Sequence, residues 1–335
     1  MFCIVFDLPY LCNQMSTIYY HGEPLGLGEQ VATLGFFDGV HLGHQYLIGQ
    51  VVAQAHAEGR ESTVVTFDRH PRQVLHPEEH PQLLTALEDK LLLLTKTGAD
   101  HVVVVPFDHQ LAAMSAREFM QQVLWEGLNV RHLIIGYDNR FGRNRTEGFD
   151  DYVSYGATWG MVVSQSDSYR QTSGSGETVS STLIRKSIEQ GKIETANRCL
   201  GYPYTLSGKV VSGVQEGRKL GFPTANLDVA DSQQLVPPNG VYAVKVRTEH
   251  SLTDYHAMMN IGFRPTFNGE EQTIEVHVMN FAEDLYGQRL HVSFLHRIRE
   301  EQRFESPEAL ARQLEQDREY IEELFKKEND EEQGG

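Results

Sequence analysis

Apolar and polar positions follow two rhythms along this 335-residue chain, and the change from one to the other falls near residue 200. Before it, short apolar runs separated by helical patterns read as strands: Val31 to Phe37, Ser62 to Phe67, His101 to Phe107, His132 to Tyr137 and Gly160 to Val163. After the first run, Leu47, Ile48, Val51, Val52 and Ala55 mark the stripe of an amphipathic helix that stops near Gly59. Leu87 to Thr97 and Ala116 to Trp125 read as further crossover helices. This order predicts an α/β, Rossmann-like doubly wound parallel sheet, whose ligands sit at the carboxyl ends of the strands.

Past residue 200 the runs Gly208 to Val214, Gly240 to Thr248, Asp254 to Ile261, Thr273 to Phe281 and Arg289 to Leu295 are strand-like, with frequent turns and little helical patterning. They predict an all-β antiparallel barrel. The chain closes with Ser306-Pro307-Glu308, a cap with proline at the first helical position, followed by Leu310, Leu314, Ile321, Leu324 and Phe325 on one face of a helix expected to pack on the barrel. The acidic run Glu328 to Gly335 is expected to be disordered. The glycine- and serine-rich stretch Ser173 to Gly176 reads as a flexible loop, and the domains are drawn at 16–190 and 200–327.

The formal charge of −17 argues against broad nonspecific nucleic-acid binding, which needs a basic surface. The three cysteines, Cys3, Cys12 and Cys199, are scattered and form neither a disulfide framework nor a zinc motif. No apolar run reaches the ~20 residues of a membrane span, and the first fifteen residues lack a basic region and are broken by Asp7 and Pro9. With Met15 offering a second start, they are given little functional weight, and a cytoplasmic enzyme is expected.

Candidate chemistry concentrates where strands end. Gly35-Phe36-Phe37-Asp38-Gly39-Val40-His41-Leu42-Gly43-His44 follows a strand and opens a helix, placing His41 and His44 one turn apart where unpaired N–H groups and the helix dipole favour anions. Gly43 leaves room for backbone to approach a nucleotide. Asp68-Arg69-His70-Pro71 and Gly136-Tyr137-Asp138-Asn139 follow two further strands. The loop from Pro71 to Leu83 reads as a flap, and its histidines His76 and His80 have the scattered spacing of solvated loop residues rather than of a metal site. Ser181, Thr182 and Arg185 open another helix, with Ser181 read as its N-cap and Gly191 as its stop; taken alone, simple capping plus a surface arginine explains them better than an anion site does.

In the barrel, Gly217-Arg218-Lys219-Leu220-Gly221-Phe222-Pro223-Thr224-Ala225-Asn226 has the composition to wrap a nucleotide. Thr224 and Asn226, two apart on an extended segment, face one way and can share one magnesium ion. Glu275 alternates with apolar neighbours; periodicity does not set its face, and turned inward it could act as a general base.

Over about residues 25–325 these motifs resemble, in order, those of the bifunctional riboflavin kinase/FAD synthetase family of bacteria. The resemblance rests on the Gly35 to His44 element, Thr66 to Pro71, Ser180 to Arg185, Leu220 to Leu227, Pro238 to Tyr242, Glu275 to His277 and Asp284 to Gly287. It implies an N-terminal nucleotidyltransferase domain that adenylylates FMN and a C-terminal riboflavin-kinase barrel that makes it, with riboflavin, FMN and ATP as small-molecule partners and no membrane or nucleic-acid partner. Gly35, Phe36, Asp38, Gly39, His41, Gly43, His44, Asp138, Ser181, Thr182 and Arg185 would then handle one ATP. Gly217, Gly221, Pro223, Thr224 and Asn226 would handle the other, with Mg²⁺ on Thr224 and Asn226, Glu275 as base and flavin contact, and Arg299 on the flavin. The sequence departs from the family pattern at Arg69, where proline is usual, and at Asn139, where an aromatic residue is usual; both changes are expected to act on affinity near the FMN or nucleotide pocket.

Overall fold

The computed structural model describes residues 16–79, 81–137, 139–167, 169, 178–213, 221–230, 233–249, 251, 253–266 and 269–334. The chain divides into two compact units, Met1–Ser181 and Thr182–Gly335.

The first unit is built on six parallel strands: β1 (Ser16–Tyr19), β2 (Gln30–Leu34), β3 (Glu61–Phe67), β4 (His101–Val105), β5 (Val130–Ile135) and β6 (Val162–Gln165), in the order β1-β4-β3-β2-β5-β6. Every residue of β2 is buried, as a central strand covered by helices on both faces must be. The alternation of side chains divides the apolar residues between two cores. Ala32, Leu34, Val65, Phe67, Val103, Val105, Leu133 and Ile135 fill one face, whereas Val31, Val64, Val102 and Ile134 meet Ile48, Val51 and Ala55 of the helix Leu42–Glu58 on the other. From β2 the chain winds outward through β3 and β4, then returns to the far side of β2 for β5. The loops after β2 and β5 therefore flank the topological switch point, where such sheets bind ligands.

Some details differ from the sequence expectation. Strand β1 adds a half-buried edge in parallel with β4; its four residues were not read as a strand because the pattern there is too short to show a period. The segment Phe119–Gly127 forms a π-helix where an α-helical crossover was expected, and Leu128 N–H closes it on Val123 O at 2.9 Å. The helix Ser181–Glu189 begins at Ser181 itself, which is thus its first residue and not its N-cap. The Ser173 to Gly176 stretch lies outside the described residues.

The second unit is a closed antiparallel barrel of β7 (Thr205–Val211), β8 (Ala225–Asp228), β9 (Gly240–Thr248), β10 (Tyr255–Thr266), β11 (Gly269–Val278) and β12 (Arg289–Arg299), in the order β10-β11-β8-β7-β12-β9. Closure removes exposed strand edges. In β12, buried Leu290, Val292 and Phe294 alternate with half-exposed His291 and Ser293, the period-two signature of a wall with one inner face. A helix Ile193–Leu200, not predicted, precedes the barrel and docks through Asn197, whose side-chain amide donates to Phe294 O and accepts from Tyr204 N, both at 2.8 Å.

The helix Pro307–Gly334 starts as the sequence predicts, with Ser306 Oγ accepting from Ala309 N–H at 3.2 Å. Ile321 and Phe325 join Phe222, Val241, Ala243, Met258 and Met279 in one apolar cluster. The helix runs on to Gly334, so the acidic tail is helical rather than disordered; glutamate, lysine and glutamine are strong helix formers.

Candidate functional site

In the first unit the Gly35 to His44 element closes the switch point as a strained loop. Phe37, Gly39 and Val40 all have positive φ, at 55°, 78° and 32°, and for two buried side-chain-bearing residues that is an unfavourable conformation which the surroundings must impose. Asp38 supplies the anchor. Its buried carboxylate accepts from Leu84 N–H at 2.9 and 3.0 Å and from Thr85 N–H at 3.2 Å, while Gly39 N–H donates to Thr85 Oγ1 at 3.2 Å. The structure thus gives Asp38 a positioning task, with its carboxylate turned into the protein, where the sequence reading put it on the nucleotide. Ser181 Oγ donates to Asp38 O at 3.0 Å.

His41 is the N-cap of the helix Leu42–Glu58, its Nδ1 accepting from His44 N–H at 3.3 Å. The rings of His41 and His44 stack at 3.6 Å and 17°. A Cβ at Gly43 would press on the His41 ring at 3.2 Å, so the absent side chain is what lets the ring fold back over the helix end. His44 Nδ1 is sealed from water and has no partner among the described residues. Burial, then the neighbouring His41, holds the His44 imidazole well below the usual histidine range, so it rests neutral at pH 7. Two stacked imidazoles at a helix N-terminus are equipped to receive negative charge.

Gly35 and Phe36 of this loop also line a cavity of about 510 Å³, walled by Phe67, Phe107, Phe119 and Phe141 and rimmed by His70, Arg72, Arg140 and Arg145. A mostly apolar chamber with cations among its lining suits an aromatic ring carrying a phosphate. Asn139 ties the β5 loop to the end of β2, its Nδ2 donating to Leu34 O at 2.6 Å. Arg69 turns to Asp68 at 3.0 Å. Asp138 lies outside the described residues. The aromatic wall and the arginine rim were missed as a site, although Phe67 and Phe107 stand where the predicted strands end.

In the barrel, the three residues singled out do converge. Glu275 sits in β11 directly opposite Asn226 of β8, and Thr224, just before β8, donates through Oγ1 to Glu275 Oε2 at 3.3 Å. All three are half-buried. Glu275 therefore faces the Thr224 side, which periodicity had left undecided. A hollow of about 320 Å³ runs from Pro223, Thr224 and Ala225 to Asp284, Leu285 and Tyr286. Gly221 (φ 85°) turns the chain into it, and His277 Nδ1 meets Pro223 O at 2.9 Å. Gly217 lies outside the described residues. Arg299 is committed elsewhere: its guanidinium grips the buried Asp317 of the C-terminal helix at 3.0 Å through Nε and 2.7 Å through Nη2. That pair fixes the helix to β12. Thr182, exposed, and Arg185, half-buried, lie on the helix Ser181–Glu189.

Among the described residues no cluster of three or more His, Cys, Asp or Glu could hold a metal, and no helix is long and apolar enough to cross a membrane.

Comparison with known proteins matches the two units separately. A family model described as FAD synthetase covers residues 26–183, and one described as riboflavin kinase covers residues 200–325. The bifunctional riboflavin kinase/FMN adenylyltransferase of Listeria monocytogenes is 38% identical over 320 residues, spanning 93% of this chain and 99% of that protein. The Bacillus subtilis and Escherichia coli proteins of the same description are 36% and 35% identical, each over 297 residues, and cover 90% and 92% of their own lengths and 87% and 88% of this chain. A crystal structure titled as a macrolide-efflux protein from Streptococcus pneumoniae superposes with a TM-score of 0.80 at 30% identity, covering 91% of this chain and 98% of that one.

Proposed function

Since the chain belongs to the bifunctional riboflavin kinase/FMN adenylyltransferase family, phosphorylating riboflavin in its C-terminal part and adenylylating FMN in its N-terminal part, we propose which residues carry each step. The observation that carries the assignment is the convergence of Thr224, Asn226 and Glu275 in the barrel and of His41, His44 and the strained loop in the parallel-sheet unit. The working domains are residues 16–190 and 200–327.

In the barrel, Glu275 accepts the proton of riboflavin's terminal hydroxyl as its oxygen attacks the γ-phosphorus of ATP and ADP departs. The hydroxyl of Thr224 and the amide oxygen of Asn226 are hard donors of the kind Mg²⁺ takes, and with so few protein ligands the ion would complete its shell with water and phosphate oxygens. When bound, Mg²⁺ neutralises phosphate charge. Gly221 and Pro223 shape the turn beside it, and Gly217 follows as a nucleotide residue by likeness to the family.

In the N-terminal unit the attacking group is an FMN phosphate oxygen, already ionised at neutral pH, so no base is required. The work is alignment and charge stabilisation at the α-phosphorus while pyrophosphate departs. His41, His44 and the N-terminus of the helix Leu42–Glu58 would receive that charge, with Gly43 keeping the approach open. Asp138, Ser181, Thr182 and Arg185 follow as nucleotide residues by likeness to the family. The phenylalanine-walled cavity would seat the flavin ring, and Arg72, Arg140 or Arg145 its phosphate. The acidic balance of the chain fits small-molecule substrates in the cytoplasm rather than nucleic acid.

The test is to incubate the protein with riboflavin, ATP and magnesium and to separate the flavins over time. Glu275→Gln is expected to abolish FMN formation and leave conversion of supplied FMN to FAD intact. His41→Ala combined with His44→Ala is expected to do the reverse. Loss of both activities in either variant would contradict two independent sites.

A further inference from the structure

We propose that Lys90 is a positioning residue for adenylyl transfer: its ammonium joins the carbonyl that ends β3 to one just beyond β2 and so fixes Phe67 and Phe36, two walls of the phenylalanine-walled cavity. The inference rests on that cavity being the FMN seat.

Lys90 projects from the helix Leu87–Thr95 and is 2% exposed, a rare state for a lysine and an expensive one. Its Nζ donates to Phe67 O at 2.8 Å and to Phe36 O at 3.2 Å, and lies 4.0 Å from the centre of the Phe36 ring. Phe67 is the last residue of β3, and Phe36 stands two residues beyond β2; both line the cavity. The Phe36 ring in turn meets His70, another lining residue, edge to face at 4.8 Å. One cation thus fixes two carbonyls and one aromatic wall at the point where the strained loop leaves the sheet. Packing alone does not call for it, since methionine would fill the space without the cost of burying charge.

The charged groups around it are Asp38 and Asp68, both of which favour the ammonium. Neither is a free counter-ion: Asp38 is held by the amides of Leu84 and Thr85, and Asp68 by Arg69 and by Phe107 N–H at 2.8 Å. Burial outweighs both and brings the lysine down to about 8. Deprotonation would weaken two charge-assisted hydrogen bonds and remove the attraction to the Phe36 ring.

The experiment measures FMN adenylylation by Lys90→Met and by the full wild-type chain across pH. Expected is a KM for FMN raised about tenfold in the variant at neutral pH, with riboflavin phosphorylation unchanged. The wild-type KM should itself rise as pH passes through the lysine's range, from about pH 7 to about pH 9, while the variant's stays level. A variant with wild-type KM, or a wild-type KM that is flat across that range, overturns the proposal. The wild-type profile decides even if Lys90→Met fails to fold. Should the paired His41 and His44 substitutions leave adenylylation intact, the site reading itself falls; should they abolish it while Lys90→Met is silent, only the role of Lys90 falls.

Discussion

Asp38 and His44 differ in how far the chain announced them. Both stand in a motif that points to phosphate handling, and His44 is placed as that motif implies, stacked on His41 at the helix end. Asp38 belongs to the same motif but turns away, because a loop with three positive φ angles has to be held by something and its carboxylate meets two amides from residues 84 and 85. That pairing spans 46 and 47 positions and has no local signature, and the same holds for the pairing of Arg299 with Asp317 on another element. Asp38→Asn is expected to cost about 1–3 kcal/mol by setting an NH₂ group against those donors, read as a lower urea midpoint for the first unit together with lost FAD formation. His44 gives a pH effect of definite sign. In the unfolded chain it binds a proton near pH 6.5, whereas in the fold it resists one, so its contribution to stability is present above that pH and lost as pH falls below it. His44→Gln should shrink the difference in urea midpoint between about pH 7 and about pH 5.

Among the elements, those with long periodic patterns were legible and those defined by partners were not. The helix Leu42–Glu58 buries Leu47, Ile48, Val51 and Ala55, the residues its spacing picks out. The barrel was legible as an antiparallel class, but the order of its strands depends on which edges meet, and β8 is only four residues long. The π-helix Phe119–Gly127 carries an ordinary amphipathic pattern, and nothing in a 3.6-residue period distinguishes the wider turn. Two glycines give paired tests of the elements that meet at each site. Gly43→Ala would push the His41 ring from the helix end, and Gly213→Ala would drive a methyl group into the Asn226 amide. The first is expected to slow FAD formation by tenfold or more with FMN formation unchanged, and the second to do the opposite, as measured by initial rates for the two steps.

For the molecule as a whole, the division into Met1–Ser181 and Thr182–Gly335 gives each chemistry its own sheet and core. The Arg299–Asp317 pair belongs to the second unit, with side chains 15% and 3% exposed, and removing the aspartate leaves a largely buried guanidinium without its counter-ion. Asp317→Ala is therefore expected to destabilise the barrel by about 3–5 kcal/mol, seen in calorimetry as one transition moving down while that of the parallel-sheet unit stays. The cavity of the first unit has an optical consequence as well. Its described lining contains the five phenylalanines Phe36, Phe67, Phe107, Phe119 and Phe141 but neither tyrosine nor tryptophan, the side chains that quench an excited isoalloxazine by giving it an electron. A flavin seated there would keep its green emission, so the filling of this chamber can be followed in the intact enzyme by the polarisation of that light.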